Sequence, residues 1–312
     1  MNPPTILVLG GSGFVGRYVV GRLVASGWRV VVPTRSRERA KHLLLLPTVD
    51  VIEADIHNAT TVHQLVSGVS AAVNLVGILN ESRRGDFETV HVELPRKIVT
   101  ACRATGVRRF LHMSALHAGR DAPSRYLRSK GEAESIVAES GLSWTIFRPS
   151  VIFGREDSFL NMFARLERLP MILPLACPEA RFQPIFVGDV ARTFTHSLED
   201  DRTHGQRYNL CGPRAYSLRE LVTYVGELTG YNRPVLPLGP TLSRLQATLL
   251  EHLPGTLMSR DNLASMQLPS VCAGAFPSVL AFEPTALEAI APEYLAPALR
   301  DRYAGLRAHG RH

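Results

Sequence analysis

Six short runs of mostly branched apolar residues recur in the first 150 positions: Ile6-Leu-Val-Leu9, Arg29-Val-Val-Val32, Val49-Asp-Val-Ile52, Ala71-Ala-Val-Asn-Leu-Val76, Phe110-Leu-His-Met113 and Trp144-Thr-Ile-Phe147. They are near-continuous rather than alternating, the pattern of strands covered on both faces. Between them run amphipathic stretches, residues 14–25, 61–66, 88–105 and 127–140, and Gly27, Gly68, Gly106 and Gly141 sit where helix C-caps belong. Strand and helix alternating in this way predict an α/β fold, a Rossmann-type doubly wound parallel sheet whose ligands bind beyond the strands' carboxyl ends.

After Pro149 the pattern breaks into shorter elements punctuated by prolines at 170, 174, 178, 184, 213, 234, 237, 240 and 254. The division expected is a nucleotide-binding domain over 1–150 and a smaller lobe over 151–312, with some elements returning to the main sheet. Ser217-Leu-Arg-Glu220 is a capping box that should open a helix closed by Gly230, and a further amphipathic helix is expected from Thr241 to His252. The stretch from Pro234 to Pro254 carries Leu236, Leu238, Leu242, Leu245, Leu249, Leu250 and Leu253. Burial against its own domain is the expectation; exposure would favour docking on a partner or a bilayer face.

Composition narrows the class. No run approaches the eighteen or so apolar residues of a spanning helix, and the first strand begins by Ile6, so the chain is expected to be cytoplasmic, or peripheral at the inner membrane face. Cys102, Cys177, Cys211 and Cys272 lie far apart and are expected to be reduced core thiols. The net charge of +7 is carried by scattered arginines, with clusters only at Arg35 to Lys41 and in the C-terminal tail, so no nucleic-acid site is expected. His112, His117 and His196 stand singly, and no metal is predicted.

Gly10-Gly-Ser-Gly13-Phe14-Val15-Gly16 follows the first strand and opens the first helix. That context turns a weak glycine pattern into a dinucleotide fingerprint, with room for a tight turn, a pyrophosphate and close helix packing. The second strand ends in Pro33-Thr34-Arg35-Ser36-Arg37, with no acid to accept from an adenosine ribose. Arg35 could pair with a 2′-phosphate instead, so NADP(H) is favoured over NAD(H). Asp55 and Ile56 follow the third strand, near the adenine, and Asn74, Val76 and Gly77 would pass beneath the cofactor. Turn chemistry explains the same positions equally well.

Only three lysines occur in the chain, and Lys130 stands four residues after Tyr126. On a helix this spacing sets a phenol beside an ammonium, which would lower the phenol's pKa and suit it to proton transfer. Ser114, after the fifth strand, could orient a substrate oxygen beside them.

With Ser114, Tyr126 and Lys130 added to the glycine spacing, and with Arg148-Pro149-Ser150 and Val187-Gly-Asp189-Val-Ala191, the chain resembles the extended, atypical short-chain dehydrogenase/reductases. Val73-Asn-Leu-Val-Gly77, Val90-His-Val-Glu93 and Arg148-Pro-Ser-Val-Ile-Phe-Gly-Arg-Glu-Asp157 with Phe159-Leu-Asn161 are similar, more narrowly, to the NADPH-binding accessory subunits of mitochondrial complex I and their bacterial relatives. The resemblance implies that Tyr126 and Lys130 hold the nicotinamide ribose and that Pro149 and Ser150 line the nicotinamide. It does not imply turnover, since in the complex I subunit the nucleotide serves structure. His91 stands where extended members usually carry asparagine. Two readings follow: an oxidoreductase taking a small carbonyl or quinone-like substrate near Phe153, Phe159, Phe163 and Phe186, or a nucleotide-stapled module docking on a respiratory or quinone-handling membrane complex. Those four phenylalanines are read as core rather than as a substrate wall.

Overall fold

The computed structural model describes residues 4–251 and 258–296. Residues 4–150 carry the strands β1 (Thr5–Leu9), β2 (Arg29–Thr34), β3 (Val49–Glu53), β4 (Ala71–Asn74), β5 (Arg109–Met113) and β6 (Ser143–Pro149). Between them lie the helices α1 (Phe14–Ala25), α2 (Ala59–Val66), α3 (Leu94–Thr105) and α4 (Arg125–Ala138). Next come β7 (Ile152–Phe153), α5 (Phe159–Glu167), β8 (Leu173–Leu175), β9 (Arg181–Phe182) and β10 (Ile185–Phe186). Then follow α6 (Val187–Glu199), β11 (Gln206–Leu210), β12 (Tyr216–Ser217), α7 (Leu218–Thr229), β13 (Val235–Pro237), α8 (Pro240–Glu251), α9 (Arg260–Ser265) and α10 (Leu287–Leu295).

The chain divides into two compact units. The first takes residues up to Ser150, then Val187–Cys211 and Cys272–Glu283. Its sheet runs β3-β2-β1-β4-β5-β6-β11 with every neighbouring pair parallel. Strands this apolar cannot face water, so helices cover both sides: α1 packs on α6, while α2, α3 and α4 lie in succession over Leu7, Leu9, Ala72, Phe110 and Ile146. The strand order reverses between β1 and β4, the point at which doubly wound sheets open a crevice.

The second unit comprises Val151–Phe186, Gly212–Val271 and the chain from Pro284. Two-residue and three-residue ladders, β7 with β10, β9 with β12 and β8 with β13, frame a core of α5, α7 and α10. Ser217 and Glu220 form the capping box, and Gly230 closes α7 with φ near 77°. Phe153 and Phe163 are buried in this core and Phe159 and Phe186 pack against it, so all four serve packing.

Several expectations change. The stretch 88–105 is not one α-helix: Glu88–Glu93 forms a π-helical turn before α3. The leucine-rich stretch is not buried: α8 buries only Ser243 and Ala247, and Leu236, Leu242, Leu245 and Leu249 are exposed. Small residues let the helix settle closely on its neighbours and turn its leucines outward. Residues 252–257, with Leu253 and Pro254, and the basic tail lie outside the described residues.

The cysteines are not all reduced thiols. Cys211 and Cys272 form a disulfide, while Cys102 is a buried thiol whose pKa burial pushes up to about 12, and Cys177 is free. Residues 61 apart gave no local spacing signal. The bond joins the two points at which the chain leaves the first unit and returns to it, clasping the Gly212–Val271 excursion. On the chain-entropy scale a loop of that length contributes about 4 kcal/mol. Cys272→Ser, or dithiothreitol on the wild type, should therefore lower the melting temperature by about 10 °C. Cys211→Ser should add nothing to Cys272→Ser; a melting curve indifferent to reductant would contradict the bond.

Candidate nucleotide site

Because all seven strands of the first unit are parallel, their carboxyl ends share one edge, and the site residues expected from the sequence fall along it. Gly10 follows β1, Arg35 follows β2, Asp55 and Ile56 lie just past β3, Asn74, Val76 and Gly77 end β4, Ser114 follows β5, and Pro149 and Ser150 close β6. Phe14, Val15 and Gly16 form the first turn of α1.

The glycine turn is shaped by close backbone packing. Gly10 has φ near 82°, which L side chains rarely adopt, and a Cβ on Gly16 would lie 2.2 Å from the Gly10 carbonyl. Gly13, the N-cap of α1, is exposed, has extended backbone and offers no capping side chain; the first turn carries no acid. The N–H groups of that turn therefore lack the side-chain partner a helix start usually has, beside a positive helix end, which is the environment an anionic pyrophosphate takes.

At the tip of β2, Arg35 is exposed and has no ion-pair partner among the described residues. Asp55 is exposed and its Oδ1 accepts from the His57 N–H at 2.9 Å, the turn role that its position also allowed. Asn74 is buried: its Oδ1 accepts from Val76 N–H at 3.1 Å and its Nδ2 donates to His112 Nδ1 at 3.2 Å. Leu116 N–H donates to the Pro149 carbonyl and Ser150 N–H to the Leu210 carbonyl, which fix the end of β6.

Helix α4 starts at Ser124, whose side chain accepts from Leu127 N–H. Lys130 on this helix is buried, and its Nζ donates to the Met113 carbonyl at 3.1 Å, at the end of β5. A Cβ on Gly77 would lie 3.1 Å from the same Nζ, a tight contact, so the β4 loop passes close to the ammonium. Burial lowers the Lys130 pKa to about 8, with Glu134 opposing the shift. Tyr126 moves the other way: burial raises the phenol to about 12. The expected lowering by Lys130 is therefore absent from this arrangement, in which burial alone shifts the phenol.

His91 is the residue that the sequence marked only as a departure and the structure makes central. It lies on the π-helical turn, buried, with Phe87 stacked on it at 5.4 Å and Tyr126 edge-on at 5.6 Å. Its Nε2 accepts from Ile78 N–H at 3.0 Å, so Nδ1 carries the proton and donates to Ser129 Oγ at 2.8 Å. Ser129 in turn donates to the Tyr126 carbonyl. The chain of bonds ties the β4 loop to the face of α4 that carries Tyr126 and Lys130. Burial, then the charge of Lys130, then His112 push the His91 pKa down to about 2, and burial with Lys130 takes His112 to about 3. One cation thus sits between two neutral imidazoles. The usable signal in the sequence was a histidine seventeen residues past the β4 tip, in place of a non-titrating amide.

At the end of β5, Ser114 Oγ and His112 Nε2 are buried and have no partner among the described residues. Unsatisfied groups of this kind mark a place for a ligand or an ordered water. With the glycine turn, they are groups a nicotinamide dinucleotide would satisfy, so the residues fit such a cofactor.

This edge, opening at the β1/β4 reversal behind a glycine turn, defines a Rossmann-type dinucleotide-binding protein. A family model described as NAD(P)H-binding matches residues 10–158. The chain is 36% identical over 228 residues to the mitochondrial NADH dehydrogenase [ubiquinone] 1 alpha subcomplex subunit 9 of Mus musculus, covering 71% of this chain and 60% of the mouse protein. Against the Rattus norvegicus protein of the same name it is 32% identical over 294 residues, covering 90% and 77%. The chain belongs to the NAD(P)H-binding family of these complex I subunits. An NADPH-dependent quinone oxidoreductase from Escherichia coli, solved with NADPH, shares the fold at a TM-score of 0.74 and 19% identity, over 93% of this chain and 99% of that one.

The two neutral histidines set a pH dependence. Their folded pKa values lie below the free value of 6.5, so the unfolded chain binds more protons in acid; the stability they hold is intact above pH 6.5 and drains as pH falls toward 3 and 2. Each contributes a slope of about 1.4 kcal/mol per pH unit once below 6.5. His91→Asn should remove one such increment: urea unfolding between pH 6 and pH 5 would show a slope shallower by that amount. An unchanged slope would mean that His91 is not neutral in the folded protein.

Proposed function

We propose that the chain holds NADP(H) along the carboxyl edge of the first unit, as a redox-linked protein in which the nucleotide chiefly braces the fold, while the second unit docks on a respiratory or quinone-handling assembly. The observation that carries the cofactor preference is Arg35, exposed and unpaired at a strand tip that lacks any acid. A guanidinium there matches a 2′-phosphate as a planar fork and would be idle against a bare ribose. Gly10, Gly13, Phe14, Val15 and Gly16 would receive the pyrophosphate, Asp55 and Ile56 would lie near the adenine, and Asn74, Val76 and Gly77 would run under the cofactor. Tyr126 and Lys130 would hold the nicotinamide ribose, with Pro149 and Ser150 beside the nicotinamide. The kinship with complex I subunits supports the docking role, and the outward leucines of α8 give it a surface.

A second reading, carbonyl or quinone reduction, is favoured by the partnerless Ser114 hydroxyl beside the edge. Bound NADPH would supply hydride to the carbonyl carbon. Tyr126 would release its proton to the oxygen and regain one from solvent, and Ser114 would orient that oxygen.

Arg35→Ala should weaken NADPH binding about 10- to 100-fold, the worth of a charge-assisted pair, and leave NADH binding unchanged in calorimetry of stripped protein. Equal loss for both coenzymes would remove the NADP(H) preference. Purified protein should carry NADPH by mass spectrometry, stay unreactive toward added carbonyls and quinones, and melt lower once stripped. Turnover that disappears in Tyr126→Phe would instead establish the catalytic reading.

A further inference from the structure

The second unit presents one continuous aliphatic surface. On α8, Leu242, Leu245 and Leu249 follow a three-then-four spacing and share one face, each more than half exposed, while Ser243 and Ala247 face inward. Gln246, next to the leucine face, donates from Nε2 to the Pro174 carbonyl of β8 at 2.8 Å. Pro174 is the register partner of Leu236 on β13, itself half exposed, and Leu169, Met171 and Ile172 lead into β8, also exposed. The leucine face therefore runs on across the β8/β13 ribbon.

Charge distinguishes this surface from a stray apolar patch. Residues 168–178 and 234–250 contain no acid. The charges among and beside the apolar side chains are the exposed Arg165, Arg168 and Arg244; Glu251, which ends α8, is paired with Arg260 at 2.8 Å, and Glu167 is buried, with the Arg233 backbone N–H donating to its Oε2 and Arg233 Nε to its carbonyl. A second copy of the chain would set these arginines against their own kind, which disfavours an isologous dimer. A protein partner would normally be met by aromatic anchors, and neither stretch has an aromatic residue. Flexible aliphatic side chains with a rim whose unpaired charges are basic are the composition of an interfacial helix on an anionic bilayer.

We infer that α8 and the adjoining β8/β13 ribbon rest on the surface of an anionic lipid bilayer. The inference deepens the docking part of the proposal above and is independent of the nucleotide, which the Arg35 measurements test separately. Full-length protein mixed with vesicles of phosphatidylcholine and phosphatidylglycerol at three to one should float with them in low salt, and much less with pure phosphatidylcholine or in 0.5 M salt. Arg168→Ala and Arg244→Ala should each weaken binding to the anionic vesicles about fivefold, the effect of one basic residue at such a surface. Leu242→Ser with Leu245→Ser and Leu249→Ser should abolish flotation while circular dichroism and NADPH retention stay as in the wild type; these exposed positions carry no core packing. Wild-type protein left in the soluble fraction with anionic vesicles would overturn the inference. So would dimers that the leucine variant converts to monomers, since a second copy would then be the occupant.

Discussion

The arrangement at the sheet edge depends on one buried ammonium. Lys130 lies inside the first unit with a single carbonyl, that of Met113, as its hydrogen-bond acceptor, and burial has already drawn its pKa down to about 8. A cation held with so little compensation imposes conditions on everything near it. Gly77 leaves room for the ammonium at the point where the β4 loop passes, since a Cβ there would crowd Nζ at 3.1 Å. The two nearby imidazoles must be neutral, and each is oriented by a bond that leaves it so: Ile78 N–H aims at Nε2 of His91, and the Asn74 amide at Nδ1 of His112. Burial first and the nearby ammonium second keep both histidines neutral, and the two bonds give them opposite tautomers.

Much of the fold was legible in the sequence because it rests on period and punctuation. Six apolar runs with glycine-capped helices between them specify a parallel sheet almost without alternatives, since strands apolar on both faces need helices on both sides. The capping box at Ser217 was equally plain, being a local interaction three residues long. What failed was nonlocal. The Cys211 to Cys272 bond spans 61 positions and depends on where the chain crosses between units. The burial of α8 could not be read from its leucines, because Ser243 and Ala247 took the inner face and left the larger side chains outside. Hydrophobicity says that a residue prefers burial, whereas close helix packing can prefer the smaller residue.

The edge residues named from the sequence do lie along the carboxyl ends of the strands, since strand order alone determines where chain turns emerge. Their chemistry was less readable. That Tyr126 and Lys130 share a helical face follows from spacing, but the pKa of each depends on the water each loses, a property of the surrounding core. His91 illustrates the same limit: its identity was visible, yet only the π-helical turn shows that it bonds the β4 loop on one side and Ser129 on the other.

These observations bear on whether the nucleotide turns over. Proton transfer near neutral pH asks for a phenol poised not far from 7, and the usual device is an adjacent ammonium with its charge directed at the ring oxygen. Here the ammonium donates to the Met113 carbonyl, the phenol stands near 12, and the neutral His91 offers Tyr126 the edge of an aromatic ring instead of a charge. Such a set would suit holding a sugar hydroxyl, because holding needs donors and acceptors in fixed positions and no change of protonation. It is less suited to relaying a proton, because burial keeps the phenol protonated and the two imidazoles neutral. On the proposed reading, the burial that keeps both imidazoles neutral and the phenol protonated favours a retained nucleotide over a consumed one.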